Sequence, residues 1–206
     1  MPRRPRPALI AALTRARQDL EDAHARFALV GGMAVSARTE PRFTRDIDFV
    51  VAVDGDVAAE RLIGELGYRV LAVAEHRSLG RLATVRLASP LLTSAPPIVD
   101  LLFCSSGIEP ETVAAADTID IVSGVSIPVA KMADLVAMKV LSEKPTRPKD
   151  SADILAMLRG MSRDEIDRVP VLLEKIESRG AGRGKDLQAV WQRYRAIAAG
   201  HHRESE

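Results

Sequence analysis

The chain has 206 residues, enough for one large domain or two small ones, and its 47% hydrophobic content can fill a sizeable core. Aromatics are only 3%, so aliphatic side chains and alanine-rich helices must build that core, and a net charge of +1 argues neither for nor against a polyanionic partner. Cys104 is alone, which rules out an intrachain disulfide and fits a reducing, cytoplasmic setting; no apolar run approaches the ~18 residues of a membrane span. The basic start, MPRRPRP, reads as a solvated arm. Residues 7–25 then read as an amphipathic helix: Pro7 suits a first turn, and Leu9, Ile10, Leu13, Ala16 and Leu20 recur at helical spacing. Residues 7–13 are apolar, but the charged run 14–22 that follows them argues against a signal peptide.

Residues 27–30 read as a short buried strand, Gly31-Gly32 as a turn into a helix over 33–37, 38–45 as a loop that Pro41 keeps out of helix, and 46–53 as a second strand. Side chains alternate along a strand, so Asp46 and Asp48 share one face and Ile47 and Phe49 the other. Two carboxylates so placed are half of a hard-cation site, and Mg²⁺ takes carboxylate oxygens while keeping substrate phosphates among its ligands. Gly31 and Gly32 let the backbone approach a phosphate and present N–H groups at a helix start. A phosphate seat followed 14 residues later by a metal seat suggests nucleotide chemistry.

Further on, Asp54-Gly55-Asp56 reads as a turn that caps a helix over 57–66, with Gly67 ending it. Strands follow over 68–73 and 81–88, then a proline-bearing loop, then an apolar strand over 98–103 interrupted only by Asp100. A buried carboxylate is costly unless paired or metal-bound. If this strand lies beside 46–53, Asp100 joins Asp46 and Asp48 as a third metal carboxylate. The other reading is an acid at a strand end, salt-bridged to an arginine. A short helix over 110–116 and one or two strands within 118–128 complete an α/β half, residues 1–130. The rest, 131–206, reads as helices only, over 131–142, 149–158, 162–178 and 185–198. Ser162 and Glu165 spell a capping box, and Pro170 is expected to kink or split its helix. Cys104, Trp191 and the histidines form no constellation, and Trp191 reads as core or interface packing.

The order of these parts resembles the nucleotidyltransferase superfamily of DNA polymerase β type, and within it the minimal AbiEii-type nucleotidyltransferases, toxins of toxin–antitoxin and phage-defence systems. Gly31-Gly32-Met33-Ala34 looks like that family's first motif and Thr44-Arg45-Asp46-Ile47-Asp48-Phe49 like its second. Its third is a helical lysine, matched best by Lys139, with Lys131 as a rival. Its fourth is a basic–Asp–x–x–Asp helix start, which Lys149, Asp150 and Asp153 fit, with a lysine where the family carries arginine. The resemblance covers 27–158.

The resemblance implies a nucleotidyltransferase α/β (α+β) fold, a small mixed sheet flanked by helices and followed by a C-terminal helical bundle. It implies two Mg²⁺ ions on Asp46, Asp48 and Asp100, with ATP or another NTP as substrate. Gly31, Gly32, Thr44 and Arg45 would meet the phosphates, Lys139 would neutralise triphosphate charge, and Asp150 would orient Lys139 or act on the acceptor. The implied reaction moves a nucleoside monophosphate to an RNA acceptor such as the tRNA 3′ end, with Lys144, Arg147 and Lys149 on acceptor phosphates and a cognate antitoxin as protein partner. Two other readings remain open: the same chemistry on a small-molecule or protein hydroxyl, and a catalytically dead nucleotide-binding module. The intact acid pair argues against the last.

Overall fold

The computed structural model describes residues 7–40, 44–91, 94–122, 124–144, 146 and 148–203. The N-terminal arginines, Pro41, Arg42 and Arg147, which figure in the sequence expectations, lie outside those residues. The chain divides into two compact units: one runs to Ser105 and resumes over Glu109–Lys131, and the other comprises Ser106–Ile108 and everything from Met132.

The first unit is built on a seven-stranded mixed sheet. Its elements in chain order are α1 (Pro7–Asp22), β1 (Arg26–Val30), α2 (Gly31–Arg38), β2 (Asp46–Ala52), α3 (Asp56–Leu66), β3 (Arg69–His76), β4 (Arg81–Ala88), β5 (Ile98–Leu102), α4 (Glu109–Ala115), β6 (Asp117–Val122) and β7 (Val125–Val129). The strand order is β3-β4-β5-β2-β1-β7-β6. β2 is parallel to β5 and antiparallel to β1, so the strand carrying the acid pair lies in the middle of the sheet. Helices α1, α2 and α4 pack against β1 and β2. Ile47, Phe49, Leu87, Val99 and Leu101 are buried, and Phe27 meets Phe49 edge to face at 5.5 Å.

Two local expectations changed. Helix α2 starts at Gly31 and not at Met33, because Gly31 takes a left-handed φ of 64° that redirects the chain straight out of β1. The cap of α3 is Gly55, with no side-chain cap bond; Asp56 instead reaches across to β4, its Oδ2 accepting from the Leu82 amide at 3.2 Å.

The second unit holds α5 (Met132–Ser142), α6 (Pro148–Gly160), α7 (Arg163–Ser178) and α8 (Leu187–Arg203). α5 packs against all three others and is buried almost all round, from Ala133 to Leu141, as a central bundle helix must be. Ser162 and Glu165 form the expected reciprocal capping box at the start of α7. Pro170 does not split α7. The buried side chains of Val169, Leu172, Leu173 and Ile176 hold both halves of the helix on one core, and the Pro170 carbonyl accepts from Gln188 Nε2 at 2.9 Å. Trp191 is fully buried, as expected. Among the described residues no helix is long and apolar enough to cross a membrane.

Candidate active site

The chemistry-bearing residues of the first unit form a row across its sheet. Asp48 of β2 pairs in register with Asp100 of β5, and Asp100 with Arg86 of β4. Directly opposed residues of a sheet point to one face, and Asp46, two residues before Asp48, shares it. Ile47 and Phe49 are fully buried on the opposite face. The alternation read from the sequence therefore holds, and the sheet topology sets the Asp100 strand beside the Asp46–Asp48 strand.

Arg86 was not singled out from the sequence. Its Nε donates to Asp100 Oδ1 at 2.9 Å and its Nη2 to Oδ2 at 2.7 Å, a two-pronged bond that engages both carboxylate oxygens. Nη2 also lies 3.9 Å from Asp46 Oδ2. The Asp100 hydrogen bond, partly opposed by burial and then aided by the charges of Asp100, Asp46 and Asp48, pushes the Arg86 pKa above its ordinary value. The side chain of Asp100 is 8% exposed and that of Arg86 44%. Asp100 is thus ion-paired with an arginine, in the middle of its strand.

Gly31 stands against Asp48. A Cβ at position 31 would sit 2.1 Å from Asp48 Oδ2 and 2.5 Å from its Cγ. The carboxylate occupies the space that a side chain would fill, at the start of α2, where backbone N–H groups and the helix dipole favour negative charge. Val30, the cap residue, contributes no side-chain bond there. Thr44 is half-buried, with its hydroxyl 3.4 Å from the Asp46 carbonyl oxygen, and Arg45 is exposed.

The second unit carries its own cluster. Lys139 Nζ donates to Asp150 Oδ1 at 2.6 Å and lies 2.9 Å from Asp153 Oδ2; both acids are buried. Ser142 adds a long hydroxyl bond to Asp150 Oδ2 at 3.4 Å. The rival lysine has a different setting. Lys131 Nζ lies 3.4 Å from Asp117 Oδ1, and Arg38 donates to Asp117 Oδ2 at 3.0 Å and to the carbonyls of Val129 and Ala130. Burial raises the Asp117 pKa, but the Arg38 bond and the charges of Arg38 and Lys131 outweigh it and hold the carboxyl below its usual range. Arg38 therefore staples the end of α2 to β6 and β7. Lys144 and Lys149 are exposed.

Among the described residues no group of three or more His, Cys, Asp or Glu side chains is arranged to hold a metal ion. Asp46 and Asp48 nevertheless suit Mg²⁺ by their chemistry: hard oxygen donors on one face, with room for Asp48 secured by the missing side chain of Gly31. Mg²⁺ sites that use only two carboxylates complete their shell with phosphates and water.

A central strand with two same-face carboxylates lies beside a glycine-led helix start in a mixed sheet, and solved structures of nucleotidyltransferase fold share this architecture. An antigenic nucleotidyltransferase-like protein from Paracoccidioides brasiliensis matches at 16% identity and a TM-score of 0.53, over 90% of this chain and 91% of that one. The antibiotic-resistance factor ANT(2'')-Ia in solution matches at 15% identity and a TM-score of 0.54, over 95% and 97%. Its complex with adenylyl-2''-tobramycin matches at 15% and 0.53, over 84% and 99%. No curated protein matches the chain. The chain belongs to the family described as nucleotidyl transferase AbiEii toxin, Type IV TA system, which matches residues 13–205. It is a nucleotidyltransferase enzyme of a toxin–antitoxin family.

Proposed function

We propose that this enzyme transfers a nucleoside monophosphate from an NTP to an RNA acceptor, such as the tRNA 3′ end, in the cytoplasm, and that an antitoxin is its cognate protein partner. The observation that carries the transfer reading is the Asp46–Asp48 pair on one face of β2, with Asp48 set against Gly31 at the start of α2. Asp46 and Asp48 would hold Mg²⁺, which supplies Lewis-acid stabilisation of phosphoryl oxygens and of the departing pyrophosphate. The amides of Gly31 and Gly32 bind β- and γ-phosphate oxygens, and Thr44 and Arg45 add donors from the strand entrance. Lys139 is the lysine we assign to the triphosphate, on its likeness to the helical lysine of the family's third motif; Asp150 and Asp153 hold it. Asp150 positions that ammonium. Lys131, the rival, pairs with Asp117 at the end of the sheet.

The acceptor reading rests on the family and on the exposed basic side chains of the helical unit, Lys144 and Lys149. Each phosphate neutralised by such groups releases counterions, so acceptor binding should weaken steeply with salt. The test incubates the purified protein with Mg²⁺, total RNA and each α-³²P-labelled NTP in turn. Labelled RNA is expected from wild type. Asp46→Asn or Asp48→Asn should lower labelling by roughly 100-fold or more, since even the outer-shell partners of a metal are worth 10–100-fold. Wild-type labelling by both variants removes the metal pair from the site. Label on a small-molecule hydroxyl in place of RNA, with acceptor binding insensitive to salt, replaces the RNA acceptor.

A further inference from the structure

We infer that the connection between α7 and α8, residues 179–186, is a docking loop for the backbone of the acceptor RNA, and that Arg183 and the neighbouring Lys144 each bind one of its phosphates; the inference rests on the RNA-acceptor reading above. The loop reads Arg-Gly-Ala-Gly-Arg-Gly-Lys-Asp, three cations and three glycines in eight residues. It is held at several points. Ala181 is buried and its amide donates to the Ile176 carbonyl oxygen at 2.9 Å, and the Lys185 amide donates to the Gly182 carbonyl oxygen at 3.1 Å. Lys185 Nζ donates to the carbonyl oxygens of Leu141 at 2.8 Å and Glu143 at 2.5 Å. Those carbonyls stand at the C-terminal end of α5, where the helix dipole favours a cation. The loop is therefore pinned beside Lys144. Its anchor at Leu141 is two residues past Lys139 on the same helix, less than one turn from the lysine assigned to the triphosphate.

Arg183 takes a left-handed φ of 56°, a conformation that is costly for any residue but glycine. Glycine would sit there without strain, and what arginine adds is an exposed charge. Strain of this kind is characteristic of functional positions. Lys144 is exposed as well. Burial lowers the Lys185 pKa; the charge of Glu143 opposes that shift, and the charges of Arg183 and Lys144 add to it, as those of near neighbours do. The acids beside the loop are engaged inside the helical unit. Glu177 Oε1 accepts from the Leu187 amide at 2.9 Å, Asp186 Oδ1 from the Ala189 amide at 2.8 Å, and Glu143 Oε1 from Arg193 Nη2 at 3.1 Å. Clustered cations repel one another until an anion of several charges joins them, and a chain of phosphates is such an anion. Contacts to phosphates position a nucleic acid without reading its bases, which suits an acceptor recognised by its backbone.

The test measures binding of fluorescently labelled, unfractionated tRNA to the full-length protein by anisotropy, without NTP, over a series of KCl concentrations. Each phosphate contact adds roughly 0.7–0.9 to the slope of log affinity against log salt. Arg183→Gln should weaken binding roughly tenfold, the loss of a hydrogen bond to a charged group, and reduce the slope by about one. Lys144→Gln/Arg183→Gln should reduce it by about two. Arg183→Lys keeps the charge and should keep the slope. Arg183→Gly loses the charge and the strain together, so it should melt above wild type and still bind tRNA as weakly as Arg183→Gln. Arg61→Gln, at an arginine of the first unit that is 80% exposed, should leave affinity and slope near wild type. A wild-type slope in Lys144→Gln/Arg183→Gln overturns the inference. So does an equal loss in Arg61→Gln, which makes the effect one of net charge. A melting point below wild type in Arg183→Gly makes Arg183 a structural residue and overturns it too. Failure of the underlying reading looks different: the wild-type protein itself then binds tRNA without salt dependence, or not at all.

Discussion

Gly31 shows how one residue joins backbone, packing and chemistry. Its φ of 64° is open to glycine and strained for other residues. A Cβ there would overlap Asp48 Oδ2 at 2.1 Å. Gly31→Ala should therefore lose about 1–3 kcal/mol from the backbone alone, and more from displacing the carboxylate. In a chain of this size each kcal/mol lowers the melting midpoint by about 2–4 °C, so a drop of several degrees together with lost transfer is the expected result. Gly32 has no positive φ, so Gly32→Ala should leave the midpoint near wild type. Equal midpoints for the two variants remove this account of Gly31. The sequence disclosed the glycine pair and its likeness to a phosphate seat. It did not disclose that Asp48 fills the vacancy, because that contact depends on how α2 leaves the sheet. Arg86 was hidden for a related reason. The run RLATVRLA carries two arginines, Arg81 at its start and Arg86 inside it, and nothing local says which strand lies opposite. With β4 set against β5, Arg86 meets the one buried acid of the next strand, a pairing that burial alone makes compulsory.

At the scale of elements, α5 and α6 are held together by a charge cluster inside a hydrocarbon interface. Lys139 leaves α5 to meet Asp150 and Asp153 near the start of α6, and the three side chains are 15%, 10% and 4% exposed. Removing the cation would leave two like charges buried close together, so Lys139→Met should lower unfolding free energy by about 3–5 kcal/mol in urea titrations. Adding Asp150→Asn to Lys139→Met should recover part of that loss by relieving the repulsion. A Lys139→Met protein within about 1 kcal/mol of wild type, the usual range of an exposed pair, would make this cluster a surface feature. The lysine and both acids could be read in the sequence from helical spacing and family likeness. The choice between Lys131 and Lys139 could not, since both precede or sit on one helix. Each has its own carboxylate partners: Asp117 at the start of β6 for Lys131, Asp150 and Asp153 in α6 for Lys139. Helices and strands were legible wherever periodicity was strong. The continuity of α7 through Pro170 was not, because tertiary burial overrides a local breaker there.

Across the whole molecule, the sequence changes rhythm near Ala130, after which only helices are read, but the threading of the chain could not be seen in it. The chain leaves the first unit at Ser106, returns at Glu109 and leaves again after Lys131. Ser106–Ile108 belongs to the helical unit: Arg179 Nη1 donates to the Gly107 carbonyl oxygen, a Cβ on Gly107 would come 3.2 Å from Ala181, and Ile108 is fully buried. Ser105 and Glu109, on either side of this insert, are tied in the first unit by an amide-to-carboxylate bond of 2.8 Å. Melting the helical unit would strip Ile108 of its cover and pull on both ends of that bond, at the start of α4. The two units should therefore unfold together, as one cooperative transition. Natural reporters exist for each unit, since Trp191 is the only tryptophan and Cys104 the only cysteine, and both are buried. Trp191 fluorescence follows the helical unit, and the reactivity of the Cys104 thiol, whose pKa burial pushes up, follows the sheet. Titrating with urea and reading both probes should give coincident midpoints. Exposure of Trp191 at a clearly lower urea concentration than labelling of Cys104 would show that the insert does not couple the units. Gly107→Val should then lower only the Trp191 midpoint, whereas in a coupled molecule it lowers both by the same amount.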